Sequence, residues 1–171
     1  MAASFSQSLH AQDATLDPRW EYVADTVMGG VSTGGIQAVT RDGQAAVELT
    51  GDVSLENNGG FIQMAFDVAG GQRFDASGYT GVEIVVRGNG EIYDLRLRTD
   101  QLTRPWQSFR MSFRAPANWT TLRIPFADFE ANRTTATFDP SRLRRIGVLG
   151  VGRAFDAEVA VAGIGFYSGS D

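Results

Sequence analysis

Leu55-Glu56-Asn57-Asn58-Gly59-Gly60-Phe61 runs without a break into Ile62-Gln63-Met64-Ala65-Phe66-Asp67-Val68. The second half sets Ile62, Met64, Phe66 and Val68 on one face and Gln63 and Asp67 on the other, the period of a strand with one buried side. The first half joins a carboxylate and two carboxamides to a pair of glycines. Asn and Gly accept positive φ at little cost, so Asn58-Gly59-Gly60 suits a tight turn feeding that strand. Three polar groups on such a turn either hydrogen-bond the loop into place or face a ligand.

The alternation recurs on both sides of this join. Val82, Ile84 and Val86 share a face. After the turn Gly88-Asn89-Gly90, Tyr93, Leu95 and Leu97 oppose Asp94, Arg96 and Arg98. Phe109, Met111 and Phe113 alternate with Ser108, Arg110, Ser112 and Arg114, and Leu122, Ile124 and Phe126 with Thr121, Arg123 and Pro125. Upstream, Gly35 to Arg41 and Gln44 to Thr50 are β-type runs joined by Asp42-Gly43, a strong hairpin signal. Leu143 to Val151 and Ala157 to Tyr167 close the chain, and Ala127 to Glu130 suits one helical turn. Nine or ten short strands, with no helix beyond two turns, predict an all-β antiparallel sandwich or jelly roll. Several polar faces carry arginines, which predicts one sheet with a wet outer or concave surface. Residues 1–17, small and polar, read as a flexible tail, with order expected from Pro18-Arg19-Trp20 and a single domain over residues 18–171.

A chain of 171 residues with 43% apolar and 20% charged residues is a soluble globular domain with a real core. The net charge of −5 argues against generic binding to nucleic acid or to an anionic membrane. All 15 basic residues are arginine. With no cysteine and a single histidine, His10, in the tail, thiol chemistry and a Ser-His-Asp triad drop out. No apolar run reaches the roughly 18 to 20 residues that cross a bilayer, so direct membrane insertion is not expected. The first residues lack the basic and apolar regions of an intact signal peptide, which predicts a cytoplasmic location, or a periplasmic one after loss of a leader.

Three motifs carry a family likeness: Asp25-Thr26-Val27-Met28-Gly29-Gly30-Val31-Ser32, Leu55 to Phe61, and Val86-Arg87-Gly88-Asn89-Gly90. Tyr93, Leu97-Arg98, Trp119, Ile124-Pro125-Phe126, Phe129 and Ile146-Gly147 extend it from about Pro18 to Tyr167. The chain resembles the complex I intermediate-associated protein family. The resemblance implies a galactose-binding-like jelly-roll β-sandwich of two antiparallel sheets, a role in assembling the membrane arm of respiratory complex I, and no established catalytic residues. It also points to relatives beside short-chain-dehydrogenase-like domains in photosystem biogenesis. Two departures are plain. The family often places an Arg four residues after the position of Phe61, where this chain has Ala65, and the bare domain without a mitochondrial-type presequence looks bacterial.

The candidate binding residues are Asp25, Met28 and Ser32 from the first motif, Glu56, Asn57 and Asn58 from the second, and Arg87, Arg98 and Trp106. The amides and carboxylate would hydrogen-bond a ligand or partner, or satisfy their own turn. Met28 offers an adaptable apolar contact or simple packing. Arg87 and Arg98 would take a carboxylate, a phosphate or an acidic protein patch, with Arg96 read as a solvated strand residue. Trp106 would stack on a sugar or anchor a protein, while Trp20 and Trp119 pack inside or beneath a loop. Asp75-Ala76-Ser77-Gly78 supplies too few oxygens for a firm calcium site. No catalytic residue, metal or cofactor is expected. The resulting expectation is a non-enzymatic assembly or chaperone-like factor engaging a protein partner, such as a respiratory complex subunit or assembly intermediate. The alternative is a carbohydrate- or small-ligand-binding module, and a carboxylate hydrolase ranks third.

Overall fold

The alternating segments pair into two sheets that face each other, in a computed structural model that describes residues 14–169. In chain order the strands are β1 (Ala14–Thr15), β2 (Glu21–Ala24), β3 (Thr33–Arg41), β4 (Gln44–Val53), β5 (Phe61–Asp67) and β6 (Gly81–Gly88). They continue as β7 (Ile92–Thr99), β8 (Ser108–Arg114), β9 (Thr120–Pro125), β10 (Glu130–Asn132), β11 (Leu143–Val151) and β12 (Phe155–Tyr167). The first sheet runs β3-β4-β12-β6-β9, with β1 also on β12; the second runs β10-β8-β7-β11-β5-β2. Every pairing is antiparallel. The all-β antiparallel sandwich is therefore as expected. The strands beyond the expected nine or ten include β1 and β10, which are too short to show a period.

Two local expectations shift. Residues 1–13 of the predicted tail, His10 among them, lie outside the described residues. Ala14 and Thr15, placed in that tail, instead pair with Phe166 and Gly165, and the Leu16 amide donates to Ile164 O, so order precedes Pro18. The helical turn falls on Phe126–Asp128 as a 3-10 turn. The Asp42-Gly43 hairpin forms as read, with both residues at positive φ.

The core lies where the inward faces meet. Ile62, Met64 and Phe66 of β5, with Tyr93, Leu95 and Leu97 of β7, cover Val82, Ile84 and Val86 of β6 and Val159, Val161 and Ile164 of β12. Aromatic rings fill one end, where Phe126 and Phe138 sit 5.3 Å apart and Phe74 stacks on Phe166 at 5.4 Å. Trp20 packs edge-on against Phe66, and Trp119 donates its indole N–H to Arg41 O, so both do structural duty as expected. Among the described residues no helix is long and apolar enough to cross a membrane.

Tyr93 shows how the core accommodates a polar atom. Its hydroxyl donates to Asn89 Oδ1 and accepts from the Glu158 amide, both at 2.7 Å, which ties the turn after β6 to β12. Burial, the dominant influence, pushes its pKa up to about 12. The neutral hydroxyl is the form the fold requires, so its contribution is complete below the ordinary tyrosine pKa near 10 and disappears as pH rises through about 12. Tyr93→Phe should cost about 1–3 kcal/mol in urea unfolding at neutral pH, because the Glu158 amide loses its acceptor. An unchanged midpoint would show that water replaces the hydroxyl.

Candidate functional site

Asp25 organises the end of the sandwich where both glycine motifs lie. Its carboxylate is fully buried and accepts four hydrogen bonds. Oδ1 receives the Ser32 amide at 3.0 Å; Oδ2 receives the Ser32 hydroxyl at 2.6 Å and the amides of Gly60 and Phe61 at 2.6 and 3.3 Å. Ser32 Oγ in turn accepts the Ser54 amide at 2.8 Å. One side chain thus clasps the Asp25–Ser32 segment to the Leu55–Phe61 turn. Burial by itself raises the Asp25 pKa, but the Ser32 hydroxyl and the three amides outweigh it and hold the carboxyl below its ordinary value.

The glycines follow from this carboxylate. A Cβ on Gly30 would stand 2.4 Å from Asp25 Cγ, and one on Gly59 would stand 2.4 Å from Asp25 Oδ2. Neither distance admits a side chain, so one glycine of each pair is a steric consequence of the buried acid, while its neighbour, Gly29 or Gly60, takes a φ of 92° or 129°. Asn57 and Asn58 take φ of 56° and 60°, the left-handed region that asparagine tolerates.

The clasp presents apolar side chains to solvent. Val27 is 72% exposed, Met28 55% and Leu55 51%, all unusual for large hydrophobic residues on adjoining turns. They border a groove of about 930 Å³ on the outer face of the second sheet. Phe61, Gln63 and Ala65 of β5 and Val151, Leu149 and Gly147 of β11 form its floor. At Gly147 the floor has no side chain, and a Cβ there would lie 2.6 Å from Gln63 Oε1. Beyond stand Arg96 and Arg98 of β7, Arg110 of β8, Arg133 and Arg145. The wet, arginine-bearing sheet face expected from the alternation is this one.

Trp106 closes the far side at 49% exposure. Its turn is pinned by Arg98, whose Nη1 donates to the carbonyls of Arg104 at 3.0 Å, Pro105 at 3.2 Å and Gln107. Among the described residues Arg98 forms no ion pair with a carboxylate. Burial first, then repulsion from Arg145 and Arg144, lowers its pKa. Arg96 pairs with Asp94 at 2.8 Å, and Arg145 with Asp67 and Glu21.

Of the residues predicted from sequence, the structure brings Met28, Asn58, Arg98 and Trp106 to the groove. Asp25 and Ser32 do not face it; they are buried and bonded to each other, because the Gly60 and Phe61 amides close over them. Glu56 and Asn57 are exposed on the turn but outside the groove lining. Arg87 lies on β6 in the opposite sheet, pairs with Asp42 at 2.6 Å and sits 5.8 Å from the Trp119 ring. Its grouping with Arg98 fails because consecutive strands β6 and β7 belong to different sheets. Asp75 accepts the Ser77 amide and hydroxyl, the geometry of a turn rather than of a cation site. Sequence reasoning did not select Arg110, Arg133, Arg145 or Gly147 as groove residues; cross-strand register assembles Arg110, Arg145 and Gly147, and Arg133 joins them just past the end of β10.

Among solved structures the fold is similar to the family 11 carbohydrate-binding module of cellulosomal cellulase Lic26A-Cel5E of Clostridium thermocellum. That match has a TM-score of 0.75 and 12% identity over 93% of this chain and 96% of that one. The Clostridium thermocellum family 11 module in complex with a β-1,3-1,4-mixed-linked tetrasaccharide matches at TM-score 0.73 and 13% identity, over 93% and 97% of the two chains. The family 30 module of cellulosomal cellulase Cel9D-Cel44B of the same organism matches at 0.65 and 17%, over 93% and 99%. These likenesses identify the jelly-roll sandwich fold. No curated protein matches with significance. A family model described as complex I intermediate-associated protein 30 (CIA30) matches residues 5–158.

Proposed function

The chain belongs to the complex I intermediate-associated protein 30 family, and from that membership we propose a non-catalytic binding domain that engages a protein partner during respiratory complex assembly. The groove is the surface that does so. One observation carries the reading: Val27, Met28, Leu55 and Trp106 stand exposed around a groove of about 930 Å³. Exposed apolar anchors on rigid turns beside recessed polar groups are what a partner desolvates at the centre of an interface. The Asp25 clasp fixes two of those turns and Arg98 the third, so little ordering entropy remains to oppose binding.

A photo-crosslinking residue placed at Trp106 should capture a subunit or assembly intermediate of a respiratory complex in the native organism. The same residue placed at Arg87, on the opposite sheet, should not. Met28→Ser and Trp106→Ala should each weaken retention of the captured partner about 10- to 30-fold while leaving the melting temperature in place. Crosslinks from Arg87 alone would overturn the assignment of the surface.

The carbohydrate reading draws support from Trp106, an exposed ring beside the Gln107 and Asn132 amides in the groove lining. Titration with a β-1,3-1,4-mixed-linked oligosaccharide decides it. Saturable binding lost in Trp106→Ala, with no crosslinked protein, would replace the first reading by the second.

A further inference from the structure

The groove lining changes character along its length. At one end of the paired strands β5 and β11, Phe61 opposes Val151; at the other stands Arg145, which opposes Arg98 of β7 and pairs with Asp67 just outside the lining. Six residues separate the ends, about 20 Å at the rise of a strand. The apolar end adjoins Val27, Met28 and Leu55, and the far end adjoins arginines. Five arginines line the groove and no carboxylate does, among the described residues. This holds in a protein whose net charge is −5. Crediting Asp94 to Arg96 and both Asp67 and Glu21 to Arg145 still leaves Arg98, Arg110 and Arg133 without an ion pair among the described residues. Glu130 lies across from Arg110 on β10 without forming one.

We propose that the groove takes an extended acidic polypeptide segment of about six residues, with an apolar side chain at one end and carboxylates at the other. The inference rests on the protein-partner reading above and specifies the chemistry of that partner. The apolar side chain seats against Met28, Leu55 and Phe61. The backbone crosses Gly147 and Ala65, where the floor is lowest, and the carboxylates meet Arg98, Arg110 and Arg133. Guanidinium groups suit this task, since each offers paired donors to a carboxylate. A nucleic acid fits less well: the lining offers one exposed indole and an apolar end, where single strands need successive stacking rings along a basic track. A bilayer surface fits less well because the arginines are recessed on the sheet behind the projecting turns.

The test uses the full chain and fluorescein-labelled peptides with leucine and phenylalanine at one end and glutamates at the other, in both chain directions. Matched peptides carry glutamine for glutamate. Anisotropy should show the glutamate peptide binding at least about 10-fold more tightly than its glutamine counterpart, and weakening as salt rises. Arg110→Gln and Arg133→Gln remove exposed side chains that hold no ion pair among the described residues, and should leave the melting temperature in place. Together they should lower affinity about 10-fold, as should Leu55→Ser for the apolar end. Arg98→Gln should lower it further, but it also frees the Trp106 turn, so the other variants decide the question. Equal affinity for the two peptides, or indifference to Arg110→Gln with Arg133→Gln, would overturn the proposal. So would binding only to phosphatidylserine vesicles or only to the mixed-linked oligosaccharide. Competition separates the two levels: a partner still crosslinked at Trp106 in saturating glutamate peptide sinks the acidic segment and leaves the protein-binding reading standing. An acidic peptide bound with no protein crosslinked sinks the assembly reading instead.

Discussion

Asp25→Ala should destabilise the protein by about 3–5 kcal/mol, because two buried amides, the half-buried Phe61 amide and the Ser32 hydroxyl lose their acceptor together. For a domain of this size that loss corresponds to a fall of roughly 10–15 °C in melting temperature by calorimetry. Asp25→Asn should lie between the two proteins, since an amide keeps one acceptor oxygen and turns an NH2 group toward donors. The pH dependence follows from the carboxyl's depressed pKa. A carboxyl held below its unfolded value, about 3.9, contributes stability that is present above that value and lost as pH falls through the lower, folded one. The gap between wild type and Asp25→Asn should therefore be widest near neutrality and narrow below about pH 4. A gap independent of pH would mean that the folded protein does not need the ionised form.

Gly59→Ala should cost about 3 kcal/mol by denaturant titration, through overpacking against a carboxylate that cannot move without breaking its own bonds. The effect is steric rather than conformational, since Gly59 has φ of −79°. That distinction can be measured. In an Asp25→Ala background the methyl group loses its clash with Oδ2 and keeps only a 3.0 Å approach to Glu56 O, so Gly59→Ala should be far milder there. The double-mutant cycle should show a coupling of about 1–2 kcal/mol or more. Additive losses would refute the view that the second motif's glycine exists to admit the first motif's acid.

Much of the sandwich is legible in the chain. Period-two runs such as Tyr93, Leu95 and Leu97 display their buried faces directly, and Asp42-Gly43 marks its hairpin. What alternation cannot show is which sheet a strand joins. Arg87 and Arg98 look like neighbours on one hairpin, yet β6 and β7 lie on opposite sides of the core. Arg145 reaches Arg98 only because β11 inserts between β5 and β7. Asp25 misleads for a related reason: a carboxylate ahead of two glycines reads as exposed, while the amides that bury it come from Gly60 and Phe61. The usable signal is the two Gly-Gly pairs considered jointly, since small residues in two distant turns imply that something lies between them.

The positions of β11 and β12 bear on how the protein is made. Each follows in the chain both of the strands it separates, β12 lying between β4 and β6 and β11 between β5 and β7. A nascent chain stopped short of Leu143 can close local hairpins such as β3 with β4 or β7 with β8, but both layers remain open at the middle. Until β11 and β12 clear the ribosome, the inner edges of β4, β6, β5 and β7 have only water or a neighbouring chain to bond with. The chain thus depends during its own synthesis on being kept apart from other unfinished chains.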